Sequence, residues 1–336
     1  MVLKKAIIGA YLFIFLSSGA IAQLSNNSFH WGVNGHPLTQ SDYNKTTWNK
    51  QISFLKELNL NTYRVDVMLN AQGLPKNEYS FQELSSKLNL NSITMFPVLI
   101  ITGLSGLDAS QIYTQCYNQG KTFGLKYGNK FPWLEVGNEE DNKVIASGNG
   151  MKASDYNDSK IPNVMAKLKG FIDGLKSVSP DIKVSISFGW VHFYYLELLK
   201  QNNVNYDIIG YHWYSNMGGG DITNVHTLFV SGNLLKSVSD KFNKEIWITE
   251  FNYYRGTKNG DYIKQADYIS QSIKSIISQN IIKGFFIYEL FDQSASGQRS
   301  PNEANYGLVM KQDANPDYIK KEVYTRYQSL INEYKK

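Results

Sequence analysis

Residues 29–37 read Phe29-His30-Trp31-Gly32-Val33-Asn34-Gly35-His36-Pro37, a short apolar and aromatic run that ends in turn residues. Such a run reads as a buried strand, here Phe29 to Asn34. An open doubly wound sheet would follow its first strand with a Gly-x-Gly-x-x-Gly turn for a dinucleotide, and Gly32-Val33-Asn34-Gly35-His36-Pro37 is not that turn. Seven similar runs follow, at Thr62 to Val67, Thr94 to Ile101, Trp133 to Asn138, Val184 to Phe188, Ile208 to Tyr214, Glu245 to Phe251 and Gly284 to Leu290. Between them lie stretches such as Trp48, Ile52, Leu55 and Leu58, or Val323, Tyr327, Leu330 and Ile331. Their three- and four-residue spacing puts the apolar side chains on one helical face, for packing. Strands alternating with helices imply a parallel sheet. Eight repeats in 336 residues imply an α/β protein built as a single (β/α)8 TIM barrel.

Composition agrees with a large core: 42% of residues are hydrophobic, 14% are aromatic and 19% are charged, the last below the roughly 25% usual for soluble proteins. Disorder, collagen and coiled coil are excluded. The net charge of +5 suggests no nucleic-acid partner. Lys4 and Lys5, an apolar run from Ala6 to Leu16, and the small residues ending Ala20-Ile21-Ala22 read as a signal peptide over 1–22, cleaved after Ala22. The run is shorter than the roughly 20 residues that span a bilayer. Residues 23–336 are therefore expected to form one catalytic domain, secreted or periplasmic and without a membrane span. The single Cys116 cannot form an internal disulfide and reads as a buried, inert thiol.

The fourth run continues Leu134-Glu135-Val136-Gly137-Asn138-Glu139-Glu140-Asp141, and the seventh reads Ile246-Trp247-Ile248-Thr249-Glu250-Phe251-Asn252. Each places a carboxylate at the C-terminal mouth of the barrel, where barrel enzymes keep their chemistry. Two carboxylates converging from different strands are what glycosidic cleavage needs, one to protonate the leaving oxygen and the other to attack or to activate water. An Asn-Glu dipeptide by itself is common, so the joint placement carries the weight.

With those motifs the sequence resembles the clan A retaining glycoside hydrolases over nearly the whole chain after the leader. The resemblance implies that Glu139 is the acid/base, that Asn138 holds the sugar 2-hydroxyl and that Glu250 is the nucleophile. It also implies that Arg64, at the end of the second run, is the active-site arginine and that His212-Trp213-Tyr214 is the His-x-Tyr element. Trp31-Gly32-Val33-Asn34-Gly35-His36 and Leu134 to Glu139 look most like glycoside hydrolase family 39 and its relatives. One departure stands out: Ile287-Tyr288-Glu289 occupies the eighth strand where the clan usually has Trp beneath the sugar, so Tyr288 is expected to serve there.

Residue chemistry supports several of these places. Arg64 is one of four arginines, with Arg255, Arg299 and Arg326, and a planar, permanently charged fork suits a carboxylate partner; Glu250 is the expected one, kept ionised by it. An ordinary surface ion pair is the bland reading. His212 and Tyr214 share a strand face, with the Tyr214 hydroxyl expected to donate to Glu250. Glu135 should face the barrel interior and need a buried partner. Glu140 and Asp141 read as loop acids, and spacing alone does not separate Glu140 from Glu139. Among the aromatics near loop mouths, Trp213, Tyr253, Tyr254, Phe291 and Tyr306 read mainly as packing, and Trp190 is backed as a sugar platform.

No cofactor or metal is expected: there is no His-Glu-x-x-His, no thiolate cluster and no Lys-Ser/Thr after Gly218-Gly219-Gly220. The partner expected is a poly- or oligosaccharide, bound by a monomer. Arg255, Arg299 and Arg64 together on the active face would favour an acidic sugar, unless they pair with Glu140, Asp141, Glu289 and Asp292. The resulting expectation is an exported retaining glycoside hydrolase. A catalytically silent glycan-binding barrel or a transglycosylase using the same site are the alternatives.

Overall fold

A computed structural model describes residues 29–294, 303–311 and 318–335; the leader expected at 1–22 and Arg299 lie outside them. Eight strands, β1 (His30–Gly35), β2 (Thr62–Met68), β3 (Thr94–Ile100), β4 (Trp133–Val136), β5 (Lys183–Gly189), β6 (Ile208–Tyr214), β7 (Glu245–Asn252) and β8 (Ile282–Ile287), pair in parallel and in chain order. Pairing of β8 with β1 closes the barrel. The strands are followed in turn by α1 (Trp48–Glu57), α2 (Glu78–Asn89), α3 (Ala109–Tyr127), α4 (Ile161–Lys176), α5 (Phe193–Gln201), α6 (Leu234–Phe242), α7 (Tyr262–Ser278) and α8 (Glu322–Tyr334). This is the expected (β/α)8 barrel. Strand ends differ from the expected ones by up to three residues, the largest at β8, which ends at Ile287 where Leu290 was expected, and Asn138 lies beyond the end of β4.

Alternation along each strand divides the side chains between two cores. Outward-facing residues such as Tyr63, Val65, Phe188 and Ile248 pack beneath the helices with Ile52, Leu55, Phe123 and Leu168. Cys116 is buried among them, and burial pushes its thiol up to about 12, as expected of an inert cysteine. Inside the barrel, Phe96, Trp133, Ile208, Trp247 and Phe286 form an aromatic floor at the N-terminal end. Above that floor the filling becomes polar, with Glu135, Ser185 and Thr249, and then Arg64, His212 and Glu250 at the C-terminal mouth. The apolar floor excludes water from below, and the polar tier is confined to the end where the loops open.

One irregularity matters for the site. Tyr211 pairs with Ile248, but the next residue, His212, pairs with Glu250, so β7 carries an extra residue at Thr249. Such a bulge re-aims a side chain. Thr249 faces inward, its Oγ1 2.7 Å from where a side chain on Gly210 would begin. Phe251 faces outward and stacks on Tyr268 of α7. Glu250 is thereby turned into the mouth beside His212, instead of following Ile248 outward.

The long insert after β4 carries short helical turns at Asp141–Val144 and Ala153–Asp155. The insert after β6 holds a two-stranded hairpin, Val225–His226 with Ser231–Gly232, that the sequence reading did not anticipate.

Candidate active site

The mouth is organised around Arg64. Its guanidinium is buried, and Nη1 donates to Glu250 Oε1 at 2.8 Å and to Asn34 Oδ1 at 2.6 Å. Nη2 donates to Glu135 Oε1 at 2.5 Å and to Asn138 Oδ1 at 2.7 Å. One side chain from β2 thus ties β1, β4 and β7 together. Two buried carboxylates flank the guanidinium, so neither the charge nor the acids are left unpaired in a dry interior. Glu135 also accepts from Ser185 Oγ at 3.2 Å, which accounts for an acid pointing into the barrel.

Glu250 is gripped from a second side by the Tyr214 hydroxyl, which donates to Oε2 at 2.9 Å. Burial pushes the Tyr214 hydroxyl well above its ordinary range, and the Glu250 carboxylate adds to that, so it acts as a donor. His212 Nδ1 lies 2.9 Å from Glu139 Oε1 and 3.6 Å from Glu250 Oε2. On the other side of the ring, Arg64 Nη2 approaches Nε2 at 3.5 Å. An arginine cannot accept a hydrogen bond, so this contact favours the tautomer that carries its proton on Nδ1 and donates it toward the two carboxylates. Burial alone would lower the His212 pKa; Glu250 and Glu139 outweigh it and the net shift is upward, with Arg64 opposing.

Glu139 differs from Glu250 in setting. Its side chain is 30% exposed against 9% for Glu250, so it reaches the solvent side of the mouth. Its backbone N–H donates to Ser187 Oγ at 3.1 Å, and Asn142 Nδ2 donates to Oε2 at 3.0 Å. One oxygen of Glu139, one of Glu250 and a ring nitrogen of His212 lie within 4.8 Å of one another. That spacing could hold a cation, but the guanidinium of Arg64 already supplies positive charge at this point.

The cleft above these groups has a volume of about 370 Å³, within the range of about 300 to 1,000 Å³ typical of small-molecule sites. Its wall includes Asn138, Glu139, Glu250, Tyr214, Trp190 and Tyr288. Of the expected site residues, Arg64 and His212 lie beneath the cleft: they are 2% and 0% exposed and touch the carboxylates. His36 and Asp66 also line it, and sequence reading missed them. The His36 ring is clasped between Asp66 (Nδ1 to Oδ2, 2.9 Å) and Glu289 (Nε2 to Oε2, 3.3 Å). Burial opposes its charge, but the two acids raise its pKa to about 9. The signal available in the sequence was position: His36 follows β1, and Asp66 lies two residues after Arg64 on the same face of β2.

Several expectations need correction. Glu140 and Asp141 are not solvated loop acids; both are buried. Glu140 pairs with Lys167 of α4 and Lys143, and Asp141 pairs with His192. Trp213 and Phe291 are packed away, while Tyr254 and Tyr306 stand on the cleft wall with Trp190. Arg255 is exposed, its guanidinium 5.1 Å over the Tyr254 ring. Among the described residues the cleft wall has four carboxylates, Asp66, Glu139, Glu250 and Glu303, and neither Lys nor Arg. The arginine argument for an acidic sugar therefore fails for Arg64 and Arg255.

The sequence profile of the family described as "Glycosyl hydrolase catalytic core" matches residues 137–315, a span that opens at Gly137 and includes Asn138, Glu139, Glu250 and Tyr288. The chain belongs to this family. No curated protein sequence matches the chain. Among solved structures, this glycosyl hydrolase is similar to the family 1 β-glucosidase from Thermotoga maritima (TM-score 0.65, 15% identity, 90% of this chain and 97% of that chain). It is similar also to that organism's β-glucosidase in complex with glucoimidazole (TM-score 0.66, 15% identity, 91% of this chain and 98% of that chain). At that identity the likeness bears on the barrel alone. Among the described residues no helix is long and apolar enough to cross a membrane.

Proposed function

We propose that this glycosyl hydrolase is an exported, retaining glycosidase that cleaves O-glycosidic bonds of a poly- or oligosaccharide, with Glu250 as nucleophile and Glu139 as acid/base. The observation that carries the reading is the pair of carboxylate oxygens from Glu139, in the loop after β4, and Glu250 of β7, within 4.8 Å of each other. Retaining enzymes hold their two carboxyl groups about 5 to 5.5 Å apart, and inverting ones leave about 6.5 to 9.5 Å for a water.

In the first step the Glu250 carboxylate attacks the anomeric carbon as Glu139 gives its proton to the departing oxygen. The glycosidic bond breaks and a glycosyl ester to Glu250 forms. In the second step Glu139, now ionised, takes a proton from water, whose oxygen displaces Glu250 from the sugar. Arg64 and Tyr214 aim the nucleophile from two sides. His212 and Asn142 hold the two oxygens of Glu139, and preorganised donors of this kind contribute most to lowering a polar barrier. Asn138, Trp190 and Tyr288 on the cleft wall are assigned to sugar binding, with Arg64, His212 and Tyr214 supporting the carboxylates. The likeness to family 39 rests on Trp31 to His36 and Leu134 to Glu139, and export rests on the leader expected at 1–22.

Since the solved neighbours are named β-glucosidases, β-glucosides head the panel of glycosides to be tried. Proton NMR of the first minutes of hydrolysis tests the mechanism: the product should emerge with the anomeric configuration of the substrate. The opposite anomer appearing first would refute retention.

A further inference from the structure

Beside Glu139, the short helical turn Asp141–Val144 orients two side chains at once. Asn142 donates to Glu139 Oε2, and the fully buried Asp141 accepts through Oδ2 from the Gly189 N–H at 3.1 Å and from His192 Nδ1 at 2.5 Å. A carboxylate can only accept, so Nδ1 of His192 carries a proton and its tautomer is set. Among the described residues Nε2 has no hydrogen-bond partner, and the ring stands on the cleft wall with Trp190, Asn142 and Asn216. Trp190 holds a left-handed backbone conformation, with φ of 55°, and its indole lies nearly parallel to the buried Trp213, 19° between planes. A substituent at Gly189 would begin 3.3 Å from Glu139 Oε1, so the absence of a side chain there leaves the proton donor open on this side. His36, Asp66 and Tyr288 form a second cluster on the cleft wall, the His36 ring 5.7 Å from that of Tyr288 and its Nδ1 2.9 Å from Asp66 Oδ2.

We propose that His192, oriented by Asp141, and the ring of Trp190 form a subsite for the sugar that departs with the leaving oxygen. This deepens the reading above and rests on it. A buried carboxylate spent on fixing one imidazole makes sense where the free nitrogen must meet a defined partner. A sugar hydroxyl, able to give or take a hydrogen bond, fits Nε2 in either protonation state, while the indole face suits the C–H face of a pyranose. The bond that is cut therefore joins two sugars, and glycosides of simple alcohols or phenols use only part of the cleft. Asp141 is a positioning residue, acting through His192.

The test compares two leaving groups on one glycone. The wild-type chain is screened on 4-nitrophenyl β-glucoside, β-galactoside, β-xyloside and β-mannoside and on the β-linked disaccharides with the same non-reducing sugars. For the glycone turned over fastest, kcat/KM is measured on both substrate types with His192→Ala, His192→Leu and His192→Gln. The ratio of disaccharide to nitrophenyl activity should fall about tenfold in the Ala and Leu variants, the scale of one lost hydrogen bond, mainly through KM. Gln, whose amide can reach the same hydroxyl, should recover most of the ratio. Leu keeps the volume of the ring, so the comparison survives if Ala does not fold. An unchanged ratio, or equal loss on both substrates, overturns the subsite while leaving the glycosidase reading intact. If wild type cleaves neither substrate type, both readings fall together.

Discussion

Arg64 Nη1 donates to Glu250 Oε1 across 2.8 Å, joining β2 to β7 beneath the cleft. The same guanidinium binds Glu135 inside the barrel, so it shares one positive charge between a structural acid and the proposed nucleophile. Lysine would place a point charge there without the planar fork that reaches four acceptors.

Glu139 and its neighbour Glu140 should fail differently when changed. Glu139→Ala should slow hydrolysis most for substrates with poor leaving groups and least for those whose leaving group departs unaided, with little change in melting temperature. Glu140→Ala strands the buried Lys167 ammonium and should cost about 3–5 kcal/mol of stability. Measuring kcat/KM against leaving-group pKa, together with thermal melts, separates the two. A leaving-group dependence that steepens in the Glu140 variant and not in the Glu139 variant would reverse the assignment.

His36 should make stability depend on alkaline pH. Its pKa is raised from 6.5 to about 9 in the fold, so the folded state binds its proton more tightly than the unfolded one. The contribution, on the order of 3 kcal/mol, is fully present below about pH 6.5 and is lost as pH rises through about 9. Urea midpoints at pH 6 and pH 10 should therefore differ more for wild type than for His36→Gln. Equal differences would show that the imidazole between Asp66 and Glu289 is not charged.

The α3 and α4 helices should tolerate no added side chain at their contact. A methyl on Gly174 would begin 1.9 Å from the carbonyl oxygen of Tyr117, and one on Gly120 would begin 2.0 Å from that of Phe171. Gly174→Ala forces the helices apart, at a cost of about 1–3 kcal/mol or more. Differential scanning calorimetry should register a melting point lower by several degrees, with kcat/KM per folded molecule unchanged. An unaltered melting point would contradict the close approach.

How far the sequence was legible follows from the range of the interactions involved. The eight strands were readable because alternation and apolar runs are local, and their ends fell within three residues of the observed ones. The outward helix packing of Trp48, Ile52 and Leu55 was readable for the same reason. Tyr214 donating to Glu250 could be anticipated from its strand-end position, and the Arg64–Glu250 pair from charge, although Arg64 is the third residue of β2 and not at its end as expected. The bulge at Thr249 could not, since it is defined by register against β6. Burial of Glu140 and Asp141 was hidden as well, because their partners Lys167 and His192 arrive from α4 and from the loop after β5. Arg255 misled because position after β7 does not say that its guanidinium lies on Tyr254.

The central claim, that Glu250 forms the covalent bond to the sugar, is tested most directly by chemical rescue. Glu250→Ala should abolish turnover of an activated glycoside, and sodium azide should restore it by occupying the vacated nucleophile position. The product should be a glycosyl azide whose anomeric configuration is opposite to that of the substrate. Near-native activity in the variant without azide would contradict the account, as would rescue that yields the azide with the substrate's own configuration.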